Sequence, residues 1–408
     1  MGRYVIVPRF AIALDDLPLA GMSADHASRE RRLRELTDRA DGGGSLGNEI
    51  RESLSGRARA RGSAAGAGMA DSRVVATVGP VTGAMIAEMQ PDEADRLATD
   101  RPEVHVLADA PLNLITPLKV AGSSRKRLSA ANRWHLRAVG LPAKRTKSTP
   151  TGKGVTIAVL DTGIDAAHRE LDGRVVGGVG FDVDNQVVTD RQPADTDGHG
   201  THVAGLIAGK SVGVAPGAAL IDGLMIPKRK GTFSAFVQAM EWAAQNPEVQ
   251  IINVSAGLIG FQAGFDDVVR ALLAAGVLPV AAVGNEGRNQ TRSPGNYQPL
   301  VSVGATDVGG QVAAFSGSGR IQIDNQVYDV PDLVAPGKDV YSSVRGGGYE
   351  AWQGTSMAAP IVSGLAALVL ERQPDLPVLE LIDVLLNAAT PLPGGTARAG
   401  LGAARLPR

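Results

Sequence analysis

From Thr151 onward the chain repeats one pattern: a short, near-continuous apolar run rich in valine, followed by a glycine-punctuated stretch of helical character. The runs are Val155–Leu160, Gln250–Ser255, Val277–Val283 and Leu300–Ala305. A strand with no polar face has nothing to present to water and must be covered on both sides, which is the condition of a parallel sheet between helices. Helices expected at His199–Ala208, Phe233–Gln245, Asp266–Ala275 and Ser356–Arg372 supply the cover. The fold class expected here is α/β, a mostly parallel sheet flanked by helices.

The first part of the chain reads differently. A strand is expected at Tyr4–Phe10, a helix at Ser23–Arg39, strands at Arg73–Val78 and Ala84–Met89, a helix at Pro91–Thr99 with proline at its start, and a strand at His105–Leu107. That order, β-α-β-β-α-β, belongs to a small α+β ferredoxin-like domain. A glycine- and arginine-rich stretch from Asp41 to Ala70 reads as a flexible insertion after the first helix. A hairpin of unassigned purpose is expected at Ile321–Val330.

Charge separates the two parts. The first 150 residues carry 23 Lys and Arg against 17 Asp and Glu, and the rest carry 18 against 25, as two docked segments of opposite sign would. Nine of the basic residues fall between Lys119 and Lys147 with no acid among them, the mark of an exposed connector. Overall the charge is only −1, so neither nucleic acid nor an anionic membrane is an expected partner. Absence of cysteine excludes disulfides, thiolate nucleophiles and zinc–thiolate sites. The longest uncharged apolar stretches, at Ala271–Val283 and Ile361–Leu370, fall short of the roughly 18 to 20 residues of a membrane helix, so a soluble chain is expected. Tyr4–Pro8 is too short for a secretory apolar core. The expected compartment is the cytoplasm, with secretion the alternative if the true start lies elsewhere or a non-standard route is used.

Three segments put reactive residues where such a sheet exposes its functional edge. Asp161 ends the run Val155–Leu160, His199 opens His199-Gly200-Thr201-His202-Val203-Ala204-Gly205, and Ser356 lies in Gly354-Thr355-Ser356-Met357-Ala358-Ala359-Pro360. Singly, such residues are more often helix caps than catalysts. His199 and His202 also suggest a metal pair, but a third ligand and a nearby glutamate base are not evident, and no metal is expected. The order Asp, His, Ser is one of the chain orders of a nucleophilic serine with its base and orienting acid.

With Gly213-Val214-Ala215-Pro216 and Ala281-Ala282-Val283-Gly284-Asn285-Glu286-Gly287, these segments closely resemble the subtilisin-like serine peptidases, from about Trp134 to about Leu386. The resemblance implies a serine endopeptidase acting on proteins or peptides through an acyl-enzyme. Ser356 would be the nucleophile, His199 the base and then acid, Asp161 the orienting carboxylate, and Asn285 an oxyanion donor. Ser255-Ala256-Gly257 would be the strand that pairs with an extended substrate, unless it is only a strand-ending turn. No cofactor is implied. Only Lys210-Ser211-Val212 separates the His199 helix from Gly213, so the longer calcium loop of secreted members looks deleted, while a weak cation site at the carbonyls of Gly295, Tyr297 and Leu300 stays open.

Residues 1–118 resemble the family's inhibitory prodomain, with the insertion at 41–70. The connector 119–133 would hold or adjoin the self-cleaved region, 134–395 the peptidase domain, and 396–408 a C-terminal tail. The segment Ala110–Ser124 would then lie in the cleft and be cut by Ser356. A permanent substrate-recruiting domain is the alternative for the first part, and a catalytically silent peptide-binding scaffold the alternative for the whole. Asp165 and Asp197 either tune the site or are solvated acids, and His202 is expected to be structural. Ala256 and Gly257 leave room for a sizeable side chain before the cleaved bond, and Glu286 would tolerate a basic one. Lys228-Arg229-Lys230 would favour acidic residues further upstream or be a solvated loop.

Overall fold

The computed structural model of the chain describes residues 1–9, 48–50, 52, 54, 73–142, 144–181, 187–298, 300–323, 326–393 and 396–408. The expected helix Ser23–Arg39 and most of the stretch 41–70 lie outside them.

The N-terminal unit contains β1 (Gly2–Pro8), β2 (Arg73–Thr77), β3 (Met85–Met89), α1 (Pro91–Asp100) and β4 (Val104–Ala108). The strands form an antiparallel sheet in the order β2-β3-β1-β4, with the first strand in the middle, the arrangement of a split βαβ unit. Pro91 opens α1, and Asp92 and Glu93 follow in its first turn. Side chains of a strand alternate between faces, and β1 divides accordingly. Ile6 packs with Ala94 and Leu97 of α1, whereas Val5 and Val7 join the core of the larger domain. One face of this small sheet is therefore buried against the rest of the chain.

Two short strands follow, β5 (Pro111–Leu114) and β6 (Leu118–Lys119), then a short helix α2 (Trp134–Ala138). The large domain is built on β7 (Thr156–Asp161), β8 (Val175–Phe181), β9 (Val187–Val188), α3 (His199–Ala208), β10 (Ala219–Leu224), β11 (Lys230–Thr232), α4 (Phe233–Gln245), β12 (Val249–Val254), β13 (Ala256–Ile259), α5 (Phe265–Ala274), β14 (Leu278–Ala282) and β15 (Arg292–Ser293). It continues with β16 (Val301–Thr306), the hairpin β17 (Gly319–Ile323) and β18 (Gln326–Val330), β19 (Leu333–Pro336), β20 (Val340–Ser343), β21 (Tyr349–Gln353), α6 (Thr355–Arg372), α7 (Val378–Asn387) and α8 (Thr396–Ala399).

Eight strands make the central sheet in the order β19-β16-β14-β12-β7-β10-β8-β9, parallel throughout except for the last pair. Its two faces hold two cores. Ile157, Val159, Val280 and Ala282 pack with α3 and α6 residues such as Val203, Leu206 and Ile361, while Ala158, Leu160, Ile252 and Val254 pack with Phe236, Met240, Val268 and Leu272 of α4 and α5. Each such side chain taken wholly from water contributes about 1.5 to 3 kcal/mol before entropy is counted. The stretch expected as a tail runs along the edge strand β19, with Val334 N donating to Gly402 O and Ala404 N to Val334 O at 2.9 and 2.8 Å. No helix among the described residues is long and apolar enough to cross a membrane.

Candidate active site

Asp161 ends β7 near the middle of the sheet and is fully buried. His199 is the first residue of α3, a helix that presses on the loop after Asp161: a Cβ at Gly200 would stand 2.1 Å from the Gly163 carbonyl oxygen, so only glycine admits the approach. The result places His199 Nδ1 2.7 and 2.9 Å from the two carboxylate oxygens of Asp161, while Thr162 N donates to Oδ1 at 2.7 Å. A carboxylate only accepts, so Nδ1 carries a proton, and in the neutral form of the ring the lone pair lies on Nε2. Nε2 is buried without a hydrogen-bond partner among the described residues.

Asp195 was not singled out by the sequence patterns, yet it organises this corner. Its Oδ1 accepts from Thr162 Oγ1, Asp197 N and Gly198 N at 2.9, 2.9 and 2.8 Å, and its Oδ2 accepts from Thr201 N at 3.0 Å and from the Thr201 hydroxyl. It thus closes the first turn of α3 and ties it to the residue after Asp161. The run Asp195-Thr196-Asp197-Gly198 before an expected helix start was the available signal.

His202 is structural, as expected. Its Nε2 pairs with Glu350 O at 3.1 Å and its ring stacks on Trp352 at 4.4 Å with 7° between planes; burial pulls its pKa down to about 3, so it is neutral. Asp165 accepts from Gly346 N at 2.9 Å, and Asp197 pairs with Arg229 at 2.8 Å. The two acids, read as either tuning the site or solvated, are thus each bonded to a neighbouring loop.

Ser356 lies in the first turn of α6, and its Oγ donates to Ile115 O at 2.8 Å. Asn285 is fixed by Thr355, whose N and Oγ1 donate to its Oδ1 at 2.8 and 3.0 Å; its Nδ2 donates to Thr116 O at 3.2 Å. Ser255, Ala256 and Gly257 form one wall of a channel. Within it β5 lies antiparallel to β13 on one side, Ala256 opposite Leu114 and Gly257 opposite Asn113, and antiparallel to β11 on the other. Ile115 N donates to Ser255 O at 3.1 Å. Hence Ser255–Gly257 is a pairing wall and not merely a turn.

Glu286 is not open to a basic guest. Arg292 holds its Oε1 through Nε and Nη2 at 2.8 and 2.6 Å and donates from Nη1 to Gly257 O at 3.1 Å. At the short turn Lys210–Val212, Glu170 accepts from Ser211 N and Oγ at 2.7 and 2.6 Å and from Tyr349 OH at 2.5 Å. The Gly295 carbonyl accepts the Ser302 hydroxyl, and no group of three or more His, Cys, Asp or Glu able to hold a metal occurs among the described residues.

A buried carboxylate at the C-terminal end of a parallel strand, an imidazole paired with it and a serine hydroxyl in the first turn of a helix, which bonds to Ile115 O and not to the imidazole, are the groups that a serine peptidase of α/β type uses. The Subtilase family model matches residues 152–403, and the chain belongs to that family. It is 34% identical over 323 residues to the alkaline elastase YaB of Bacillus sp. (strain YaB), covering 77% of this chain and 76% of the relative. To the M-protease of Shouchella clausii (strain KSM-K16) it is 35% identical over 313 residues, 75% of this chain and 73% of the relative, and to subtilisin BL of Lederbergia lenta 37% over 267 residues, 64% and 91%. The protein is a serine endopeptidase acting on protein or peptide substrates, and its family needs no cofactor for catalysis. The cytoplasmic expectation is corrected here: these relatives are secreted extracellular alkaline proteases, and the missing leader pattern on which that expectation rested does not decide the compartment.

Proposed function

We propose that Ser356 is the nucleophile, His199 its base and then acid, and Asp161 the carboxylate that holds the imidazole and stabilises its charge. The Ser356 proton passes to His199 Nε2 as Oγ bonds to the substrate carbonyl carbon, and the same proton then goes to the leaving amine. Asn285 Nδ2, anchored through its Oδ1 and bonded to Thr116 O in the uncut chain, turns to the oxyanion on the neighbouring Ile115 carbonyl and donates to it together with the Ser356 backbone N–H. Substrate binds as an added strand between β13 and β11.

The N-terminal unit, on this proposal, is an inhibitory prodomain and β5 a substrate stand-in. The observation that carries it is the Ser356 Oγ to Ile115 O contact of 2.8 Å, made by a segment paired on both sides in the channel. The bond poised for cleavage is Ile115–Thr116, inside the expected region 110–124. Docking rests on three further contacts: Asp109 with Ser234 N and Oγ at 2.8 and 2.7 Å, Glu241 with Val81 N and Thr82 N at 2.9 and 2.6 Å, and His105 with Asp267 at 3.0 Å. The oppositely charged halves of the chain fit this docking. At the weak cation site, one candidate carbonyl, that of Gly295, accepts the Ser302 hydroxyl.

Intact-mass spectrometry of the freshly made protein beside Ser356→Ala tests the reading. Wild type is expected to split between Ile115 and Thr116 while the variant stays whole; a variant that splits at the same bond would overturn the assignment.

A further inference from the structure

The chain does not leave the channel after Ile115. It crosses Ser356 and pairs again on the far side: β6 lies antiparallel to β21, with Leu118 opposite Gln353 and Lys119 opposite Trp352. Lys119 Nζ stands over the Trp352 ring, 4.8 Å from its centroid. The indole is held rigidly for this. Its Nε1–H donates to Glu350 Oε2 at 3.1 Å, and one face is occupied by the stacked His202 ring, so the ammonium takes the other. Glu350 lies two residues before Trp352 on the same strand, so its side chain shares that face of the sheet; its Oε1 accepts from the Ser124 hydroxyl at 2.9 Å, which fixes the carboxylate that holds the indole.

We propose that Trp352, its indole held by Glu350, forms a subsite for a basic side chain, Lys or Arg, at the fourth position after the cleaved bond of a substrate, with Lys119 its occupant in the uncut chain. This rests on the reading of β5 and β6 as a substrate path with cleavage after Ile115. The attraction is that of a cation for an aromatic face. His202, neutral because it is buried, sets no opposing charge behind the ring. The indole is buried beneath the segment, at 2% exposure, while the Lys119 side chain that covers it stays exposed at its outer side.

The test compares two synthetic nonapeptide amides copying residues 112–120, one with Lys and one with Ala at the position of Lys119. Products are separated and weighed, so the cleaved bond is known. The full-length wild-type preparation is expected to cut the Lys peptide with a kcat/KM about threefold to tenfold higher. Trp352→Leu should bring the ratio to about one, and Trp352→Phe, which keeps an aromatic face, should retain most of it. Glu350→Gln should lower the ratio without abolishing it. A wild-type ratio near one, or a ratio unchanged in Trp352→Leu, would overturn the subsite. Cleavage of both peptides at another bond, or of neither by a preparation that digests casein, would overturn the substrate path itself and the subsite with it.

Discussion

The carboxylate of Asp109 closes the first turn of α4 at Ser234, accepting the backbone N–H at 2.8 Å and the hydroxyl at 2.7 Å. At the other end of the same helix Glu241, almost wholly buried, accepts two N–H groups from the turn at Val81 and Thr82. The N-terminal unit is thus held at both ends of one helix by hydrogen bonds to charged groups, each worth about 1.5 to 3 kcal/mol. Glu241→Ala is expected to shorten the lag before peptidase activity appears in the full-length protein by about tenfold or more, since it also leaves two buried N–H groups unpaired. Asp109→Ala should act in the same direction. The measurement is the time course of peptide hydrolysis from a freshly prepared full chain, and an unchanged lag in both variants would count against docking through α4.

Asp195 touches neither substrate nor the reacting atoms, and acts by fixing the start of α3 and Thr162. Asp195→Ala is expected to lower kcat by about 10- to 100-fold with little change in KM, because a displaced imidazole is lost from the transition state and not from peptide binding. Asp195→Asn, which keeps an acceptor, should recover part of the loss. Equal losses in kcat for both variants, tracking a fall in Tm, would instead mark a purely structural role.

What the sequence made legible follows from range. His199–Ala208 and Phe233–Gln245 match the structure residue for residue because helical periodicity is local, and the buried strands differ by a residue or so because an unbroken apolar run leaves little freedom. β8 and β10 were missed: Val175–Phe181 contains three glycines, and Ala219–Leu224 carries Asp222, a buried acid beside Arg191 that no hydropathy pattern would place in a central strand. The pairing of β5 with β11 and β13 joins residues more than a hundred positions apart, and nothing in Pro111–Leu114 itself announces its partners. The catalytic candidates were visible through their glycine-rich settings, whereas Asp195 and Arg292 act through contacts that only the folded chain creates.

Glu170 ties the turn at Ser211 to Tyr349. Burial alone would raise its pKa, but the hydrogen bonds from Ser211 and Tyr349 outweigh it and hold the carboxyl below its ordinary value of 4.5. A depressed acid contributes stability that is present above its unfolded pKa and is lost as pH falls through the folded value. Glu170→Gln should therefore lower Tm at pH 7 by a few degrees, with the gap to wild type closing below about pH 4. Because this carboxylate and the short turn Lys210–Val212 satisfy one another directly, adding a chelator to the wild type should leave Tm unchanged. Scanning calorimetry across pH, with and without chelator, checks both statements.

Arg292 lies against the pairing wall of the channel, where its Nη1 donates to Gly257 O at 3.1 Å. Built Cβ atoms at Gly257 and Gly284 would each lie 3.3 Å from its side chain, so its stem passes between the pairing wall and the loop that carries Asn285. Its guanidinium meanwhile neutralises Glu286, and both residues line a cavity of about 240 Å³ with Asn285, Thr116, Leu118, Phe315 and Gln353. With Arg292 against Gly257, the wild type is expected to prefer small or branched aliphatic residues before the cleaved bond. Arg292→Gly opens the space and uncovers the Glu286 carboxylate, so two gains should appear together: aromatic residues become acceptable, and Lys or Arg is favoured by about 10- to 100-fold in kcat/KM over the wild-type value, the worth of one charge-assisted hydrogen bond. Adding Glu286→Gln to Arg292→Gly should remove the gain for basic residues and keep the gain for aromatic ones. Profiling a peptide series varied at that single position distinguishes volume from charge, and a profile unchanged in Arg292→Gly would show that this side chain does not bound the pocket.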